Sequence, residues 1–284
     1  MWFRWLGLTS VWRKVLGARF VLVLIFISLF FVLCWVNLVV ADRLAPRRRP
    51  AGPEEELLEA WHSFVDRRAR LVRVAVAGVL ALIAGAGVSS QWNEWLLFNN
   101  SVSFGQKDPL YGKDIGFYVF RLPFLSFLTN WLFFSLVMIL LITAVQHYLN
   151  GGIRLQVERD YVTPQVKAHL SLLLGVLALV KAGDYWLQRY ELVLSGRGVI
   201  DGATYTDVNV QRPAIYLLLM ISLLSFGLLI TNIFRRGWQL PAVTVGLWAF
   251  SAIAAGSVYP AFVQRFQVEP AQSTKERVYV ERNI

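Results

Sequence analysis

Charge is scarce in this chain. Asp, Glu, Lys and Arg make up 16% of its 284 residues, against about 25% in an ordinary soluble domain. Apolar residues reach 56%, and the mean hydropathy is +0.52. That composition does not furnish a water-facing surface, and it excludes a disordered tail, a coiled-coil rod and a collagenous chain. Cysteine is almost absent too: Cys34 stands alone in an apolar run, which excludes a disulfide-stapled module and, without His or Cys neighbours, a zinc site. The formal charge of +10 is spread between apolar runs, as charge flanking membrane spans is, so the lipid bilayer and not nucleic acid is the expected partner.

Catalytic fingerprints are a third absence. No HExxH, CxxC, GxSxG or Walker A pattern occurs. Gly105 to Lys113 has the wrong spacing between its glycines, with Asp114 where Ser or Thr is needed. Gly196, Gly198 and Gly202 are spaced GxGxxxG, which misses the dinucleotide pattern. The chain is accordingly read as no enzyme, with no cofactor and no metal.

What is present is a series of long apolar runs. A helix crosses the roughly 30 Å hydrocarbon core with about 20 apolar residues, and six runs qualify, at about 20–41, 71–91, 125–147, 166–187, 213–233 and 240–262. The fold class is therefore all-α: a polytopic transmembrane helix bundle occupying 20–262, with about six spans and structured extracytoplasmic loops. The first run is too long for a signal peptide and lacks an A-x-A site, so it reads as a retained span. Before it, Trp2, Trp5, Leu6, Trp12 and Leu16 fall near helical spacing, which makes 1–19 an interfacial amphipathic segment. Gly78, Gly85 and Gly87 suit a second span packed within the bundle. Pro213 suits the first turn of the fifth. Residues 263–284 begin an extracytoplasmic region.

The raw count of Lys and Arg does not orient the bundle, but their placement does. Arg43 to Arg49 follows one span closely, Arg67 to Arg73 precedes another, and Arg235-Arg236 occupies a tight turn. These are assigned to the cytoplasm, with both chain ends outside. The cytoplasmic segment from Pro46 is a Pro-rich break followed by an acidic helix start, Glu54 to Glu56. The opposite segments, Ser89 to Phe124 and Asp184 to Arg212, are rich in Trp, Tyr, Phe and Gly, as structured caps at an interface are.

Candidate functional residues are few. Lys181 and Asp184 lie three apart on one helix face, so they form a possible intramembrane ion pair, either structural or beside an ion path. His147 and His169 fall on the same side of the membrane, but two histidines without a third ligand make interfacial placement the simpler reading. Asp108 and Asp114 stand among turn residues, with Gly112 and Gly116. Their spacing is not that of an EF-hand, and Asp-Pro and Gly turns account for them.

The stretch FGQKDPLYGKDIGFYVFRLPF, Phe104 to Phe124, resembles the FG-x-x-DP-x-FG-x-D-x-GFY-x-F-x-LP element of a bacterial family of large multi-spanning membrane proteins, uncharacterised protein family zero-one-eight-two. Asp108, Pro109, Gly112, Asp114, Gly116, Phe117 and Tyr118 carry that signature. The segments HYLNGGIRL (147–155), KAGDYWLQRYEL (181–192), YTDVN (205–209) and VEPAQSTKERVYVERNI (268–284) resemble the same family in the same order. Tyr111 stands where the family has Phe, and Ala271-Gln272 where Asn-Glu is commoner.

The resemblance implies a further N-terminal span, a Trp-rich segment like Trp2 to Arg19, and a large extracytoplasmic portion after an E-x-x-Y-I-x-x-NI element. The chain thus reads as the membrane portion of such a protein, ending within that element. It implies a bacterial plasma-membrane protein that anchors or positions an outer domain, with envelope proteins as partners. The alternative expectation is a transporter or channel subunit with Lys181 and Asp184 near the pathway.

Overall fold

The computed structural model describes residues 9–45, 68–153, 162–198 and 201–283. Parts of the sequence reading therefore lie outside the described residues: the start of the interfacial segment (1–8), the cytoplasmic stretch 46–67, the end of HYLNGGIRL and Ile284. Among the described residues all regular structure is helical, and backbone pairing of strand type is limited to the isolated bridges Lys107–Asp114 and Ile153–Val162. In order these are α1 (Thr9–Arg43), α2 (Ala69–Gly85), α3 (Trp92–Asn99), α4 (Leu122–Leu149), α5 (Pro164–Glu191), α6 (Arg212–Arg235), α7 (Gln239–Ile253), α8 (Tyr259–Val263), α9 (Gln272–Lys275) and α10 (Arg277–Asn283).

Among the described residues five helical stretches are long and apolar enough to cross a membrane: Thr9–Arg43, Phe117–Leu149, Pro164–Leu194, Asp207–Arg235 and Gln239–Lys275. A sixth exists if the pair Ala69–Gly85 and Val88–Asn99, bent by 44°, counts as one span. This revises the continuous run expected at 71–91. The 17 residues of α2 measure only about 25 Å at 1.5 Å per residue, short of the hydrocarbon thickness. The chain breaks at Gly85-Ala86-Gly87 and resumes in a single tight turn, Val88–Gln91.

Gly85 meets its neighbour closely: a β-carbon there would run into the side chain of Ile27 on α1. Gly78 and Gly87 face open space, and Leu71, Val79, Leu82 and Ile83 are exposed. So α2 packs along one face instead of being enclosed all round. On α1 the covered residues are Leu22, Phe26, Phe30, Cys34, Leu38 and Ala41, a stripe with a step of four along most of its length, as ridge packing between helices requires. The rest of α1 presents apolar side chains outward, consistent with hydrocarbon as solvent. It continues unbroken past residue 19, where the interfacial and spanning segments were expected to meet.

Prolines shape the remaining spans. Among the described residues four π-helical turns adjoin the α-helices, at Phe117–Arg121, Asp207–Gln211, Ala254–Val258 and Gln264–Val268. Each ends two residues before a proline: Pro123, Pro213, Pro260 and Pro270. In each the N–H just past the turn bonds the carbonyl five residues back, as Leu122 does to Phe117. Proline has no N–H and its ring crowds the carbonyl four residues earlier, and widening the preceding turn relieves that clash. Pro213 thus stands in the first turn of α6, as its residue type suggests, with a π-helical turn ahead of it. The helical path begins earlier, where Thr204 and Asp207 cap each other: the Asp207 N–H donates to Thr204 Oγ1 (3.2 Å), while the Thr204 N–H and hydroxyl donate to Asp207 Oδ2 (3.1 and 2.7 Å).

By contacts the chain forms two bodies, one of Met1–Asn99 with Phe134–Leu170, the other of Asn100–Phe133 with Ser171–Ile284. The first is built on α1 against α2. The core of the second includes Tyr185, Leu192, Ile215 and Leu218, and a cluster of Tyr118, Leu122 and Tyr190.

Candidate functional site

In the second body the signature loop is organised by its two aspartates. Asp108 is buried, and its Oδ1 accepts the N–H groups of Leu110 (2.8 Å) and Tyr111 (2.7 Å). Its Oδ2 accepts the Lys113 N–H (2.8 Å) and the Tyr118 hydroxyl (2.8 Å). Pro109 follows at the position its fixed φ favours, and Gly112 takes φ +64°, closing the turn. Asp114 repeats the device for the preceding strand of chain: Oδ2 accepts from Ser103 Oγ (2.5 Å) and the Gly105 N–H (2.9 Å), Oδ1 from the N–H groups of Phe104 (3.0 Å) and Gly116 (2.7 Å).

These donors, the Ser103 hydroxyl foremost, hold the Asp114 carboxyl down at about 2. Gly116 lies against the Val102 carbonyl, where a β-carbon would collide. Phe117 and Tyr118 then enter the core, Phe117 meeting Tyr190 edge-on at 5.1 Å. The loop residues of the signature are thus makers of local structure, each carboxylate oxygen already engaged by the loop or the residue that follows it.

Lys181 and Asp184 come together as their spacing suggests, Nζ to Oδ2 2.5 Å. Gln188, one turn on, donates to the same oxygen at 2.7 Å. Lys181 Nζ also lies 5.4 Å from the Phe133 ring and 5.1 Å from that of Tyr185, within cation–π range. Asp184 is buried while Lys181 keeps partial exposure, so the lysine reaches outward and the carboxylate is the buried partner.

The first body holds a polar network that sequence reading misses. Asp42, at the end of α1, pairs with Arg73 of α2 and accepts from Gln146 Nε2 (2.6 Å) of α4 and from Asn150 Nδ2 (3.0 Å) just past its end. Beside it His147 Nε2 lies 3.0 Å from His169 Nδ1, and His169 Nε2 lies 3.2 Å from Asn37 Oδ1. Asn37 Nδ2 donates to the Leu33 carbonyl at 2.7 Å, so its Oδ1 is the acceptor, and both imidazoles carry their proton on Nε2 in the neutral state. The histidines, at the end of α4 and the start of α5, are buried and paired with each other. Among the described residues no group of three or more His, Cys, Asp and Glu is placed to hold a metal ion. One signal was available: Gln146, in the last turn of α4, and Asn150, just past its end, stand four residues apart, an unusual polar pair at the end of an apolar run.

Two of the remaining signature segments meet each other. In YTDVN the Tyr205 N–H donates to Glu276 of the final segment at 3.0 Å, and Asn209 Nδ2 donates to the Tyr279 hydroxyl at 2.7 Å. The Tyr205 ring also carries Lys275 Nζ at 4.9 Å. Residues 70 and 71 positions apart in sequence, in segments read separately as family elements, are one contact in space.

Comparison with known proteins agrees with this reading of the segments. The chain is 45% identical to a UPF0182 protein of Frankia alni over 284 residues, covering all of this chain and 28% of that protein. It is 41% identical to a UPF0182 protein of a Nocardioides species, again across the whole chain and 28% of the relative. A UPF0182 protein of Mycobacterium tuberculosis is 36% identical over 286 residues, 29% of its length. The chain thus spans less than a third of the length of these relatives. No solved structure matches it. The model of the Uncharacterised protein family (UPF0182) matches residues 1–284, and the chain belongs to that family.

Proposed function

We propose that this chain is a membrane platform, a multi-pass part of a bacterial plasma-membrane protein that anchors and positions further chain in the cell envelope. The observation that carries this reading is the engagement of Asp108 and Asp114: the most distinctive polar residues of the family element are consumed in shaping a cap. Rigid scaffolds spend polar groups in this way, whereas a reaction centre keeps some aimed at an open cavity. The platform has no catalytic residue of its own. Its partners are the bilayer and envelope proteins, its ends lie outside, and Arg235-Arg236 faces the cytoplasm.

The alternative is a transporter or channel subunit. It draws on the polar face of α5, where Lys181, Asp184, Gln188 and Glu191 follow one another at helical spacing.

A chimera separates the two. In a strain lacking the full-length protein, the region equivalent to 1–284 is replaced by an unrelated multi-pass scaffold of the same topology. A platform predicts that the remaining chain reaches the envelope and restores growth. Solute flux through proteoliposomes of full-length protein, abolished by Asp184→Leu, would replace the platform with the transporter.

A further inference from the structure

Arg189 sits near the end of α5 and Arg212 opens α6, so the two lie at the same end of consecutive membrane-length helices. Among the described residues no carboxylate comes within ion-pair distance of either. The nearby carboxylates are already committed, Asp108 to its loop and Tyr118, Glu191 to the Ser126 hydroxyl at 2.5 Å.

Aromatic rings hold Arg189 in place. Its guanidinium carbon stands 3.3 Å from the Trp186 ring centre and 4.5 Å from that of Tyr190, and it donates to the Tyr190 hydroxyl at 2.6 Å and, at 3.5 Å, to that of Tyr216. Among the described residues its Nε is buried without an acceptor, and the Tyr111 hydroxyl is likewise buried without a partner. The Tyr111 ring meets Tyr190 edge-on at 5.2 Å. Burial pushes the Tyr111 phenol up to about 12, with Tyr216 adding to the rise and Arg212 and Arg189 opposing it. Both guanidiniums therefore act on this hydroxyl, which stays protonated and able to donate. Trp186 and Tyr216 are partly exposed, so the cluster is open to the surroundings.

We propose that Arg189, Arg212, Tyr111 and Tyr216 form a binding site for a phosphate-bearing anion at the membrane boundary. Arginine suits phosphate because its planar fork presents several fixed donors, and stacking on Trp186 and Tyr190 orients that fork before the ligand arrives. Two uncompensated cations select a net anionic head group over a zwitterionic one. The phosphodiester of an anionic phospholipid and free phosphate offer the same oxygens. Occupancy supplies the acceptors that the buried Nε and phenol lack. The site is independent of whether the chain serves as platform or pathway.

The test is native mass spectrometry of the full chain from micelles containing equal palmitoyl-oleoyl phosphatidylglycerol and phosphatidylcholine, with and without inorganic phosphate. Wild type should retain phosphatidylglycerol preferentially. Arg189→Gln or Arg212→Gln should each weaken that retention about five-fold, and the double replacement about 25-fold. Tyr111→Phe, which deletes only the hydroxyl, should weaken it about two- to five-fold. Retention unaffected by millimolar phosphate assigns the site to the lipid head group; competition by phosphate, lost in the same variants, assigns it to the free anion. A monodisperse double variant that keeps wild-type lipid retention and phosphate response overturns the proposal. If that variant does not fold, Tyr111→Phe with unchanged retention and response overturns it instead.

Discussion

Glu276 closes the second body on itself by accepting the backbone N–H of Tyr205 at 3.0 Å across 71 residues of sequence. The carboxylate is buried, and the Tyr205–Tyr279 rings and Lys275 surround the contact. A hydrogen bond to a charged group in such a place contributes about 1.5–3 kcal/mol. Glu276→Ala should lose that amount and speed amide exchange through 201–211 and 272–279 together. Unchanged exchange in 201–211 would mean that the two segments are held by something else.

Lys181 and Asp184 should behave as a coupled pair. Removing one charge leaves the other poorly compensated, at a cost of about 1 to 3 kcal/mol limited by the partial exposure of the lysine. Replacing both with apolar residues should recover most of it. Lys181→Met, Asp184→Leu and the double replacement are compared by melting temperature in detergent, where the double is expected close to wild type. Additive losses would show that the two charges act separately.

Asp114 makes the loop pH-sensitive in a defined window. Its folded pKa, about 2, lies below the ordinary carboxylate value of 3.8 because Ser103 and three backbone N–H groups favour the ionised form. A depressed pKa gives a stabilisation fully present above about pH 4 and lost as pH falls toward 2. The gap in melting temperature between wild type and Asp114→Asn should therefore be constant from pH 7 to 5 and shrink between pH 4 and 2. A gap independent of pH would assign the effect to shape and not to charge.

Orientation is checked with single cysteines at Ser101, Arg235 and Thr274 and a membrane-impermeant thiol reagent on intact cells. Positions 101 and 274 should label and 235 should not. The opposite pattern reverses the topology.

The spans are legible because a run of about 20 apolar residues has few other uses. The Lys181–Asp184 pair is legible for a related reason, since three residues along a helix is a local relation. What escapes the sequence depends on distant partners. The close approach of Gly85 to Ile27 of α1 is one such relation, which the glycines alone do not reveal. Asn37 and His169 stand 132 positions apart, and Asp42 and Asn150 stand 108 apart, so neither periodicity nor spacing signals them. Pro213 takes the first turn of α6 as its residue type suggests, but the π-helical turn that carries the helical path back to Asp207 has no signal in the sequence. Among the signature residues the sequence shows which are unusual, but not that Asp108 and Asp114 already have their partners.

Cys34 lies wholly covered in the packed stripe of α1, between Phe30 and Leu38. A small, membrane-permeant maleimide reaches that sulfur only when α1 parts from its neighbours. The native thiol is therefore a clock for helix separation, with no probe to introduce. Its rate of modification rises with the share of time this helix stands open in the intact bilayer, and a variant that loosens Gly85 against Ile27 runs the clock faster.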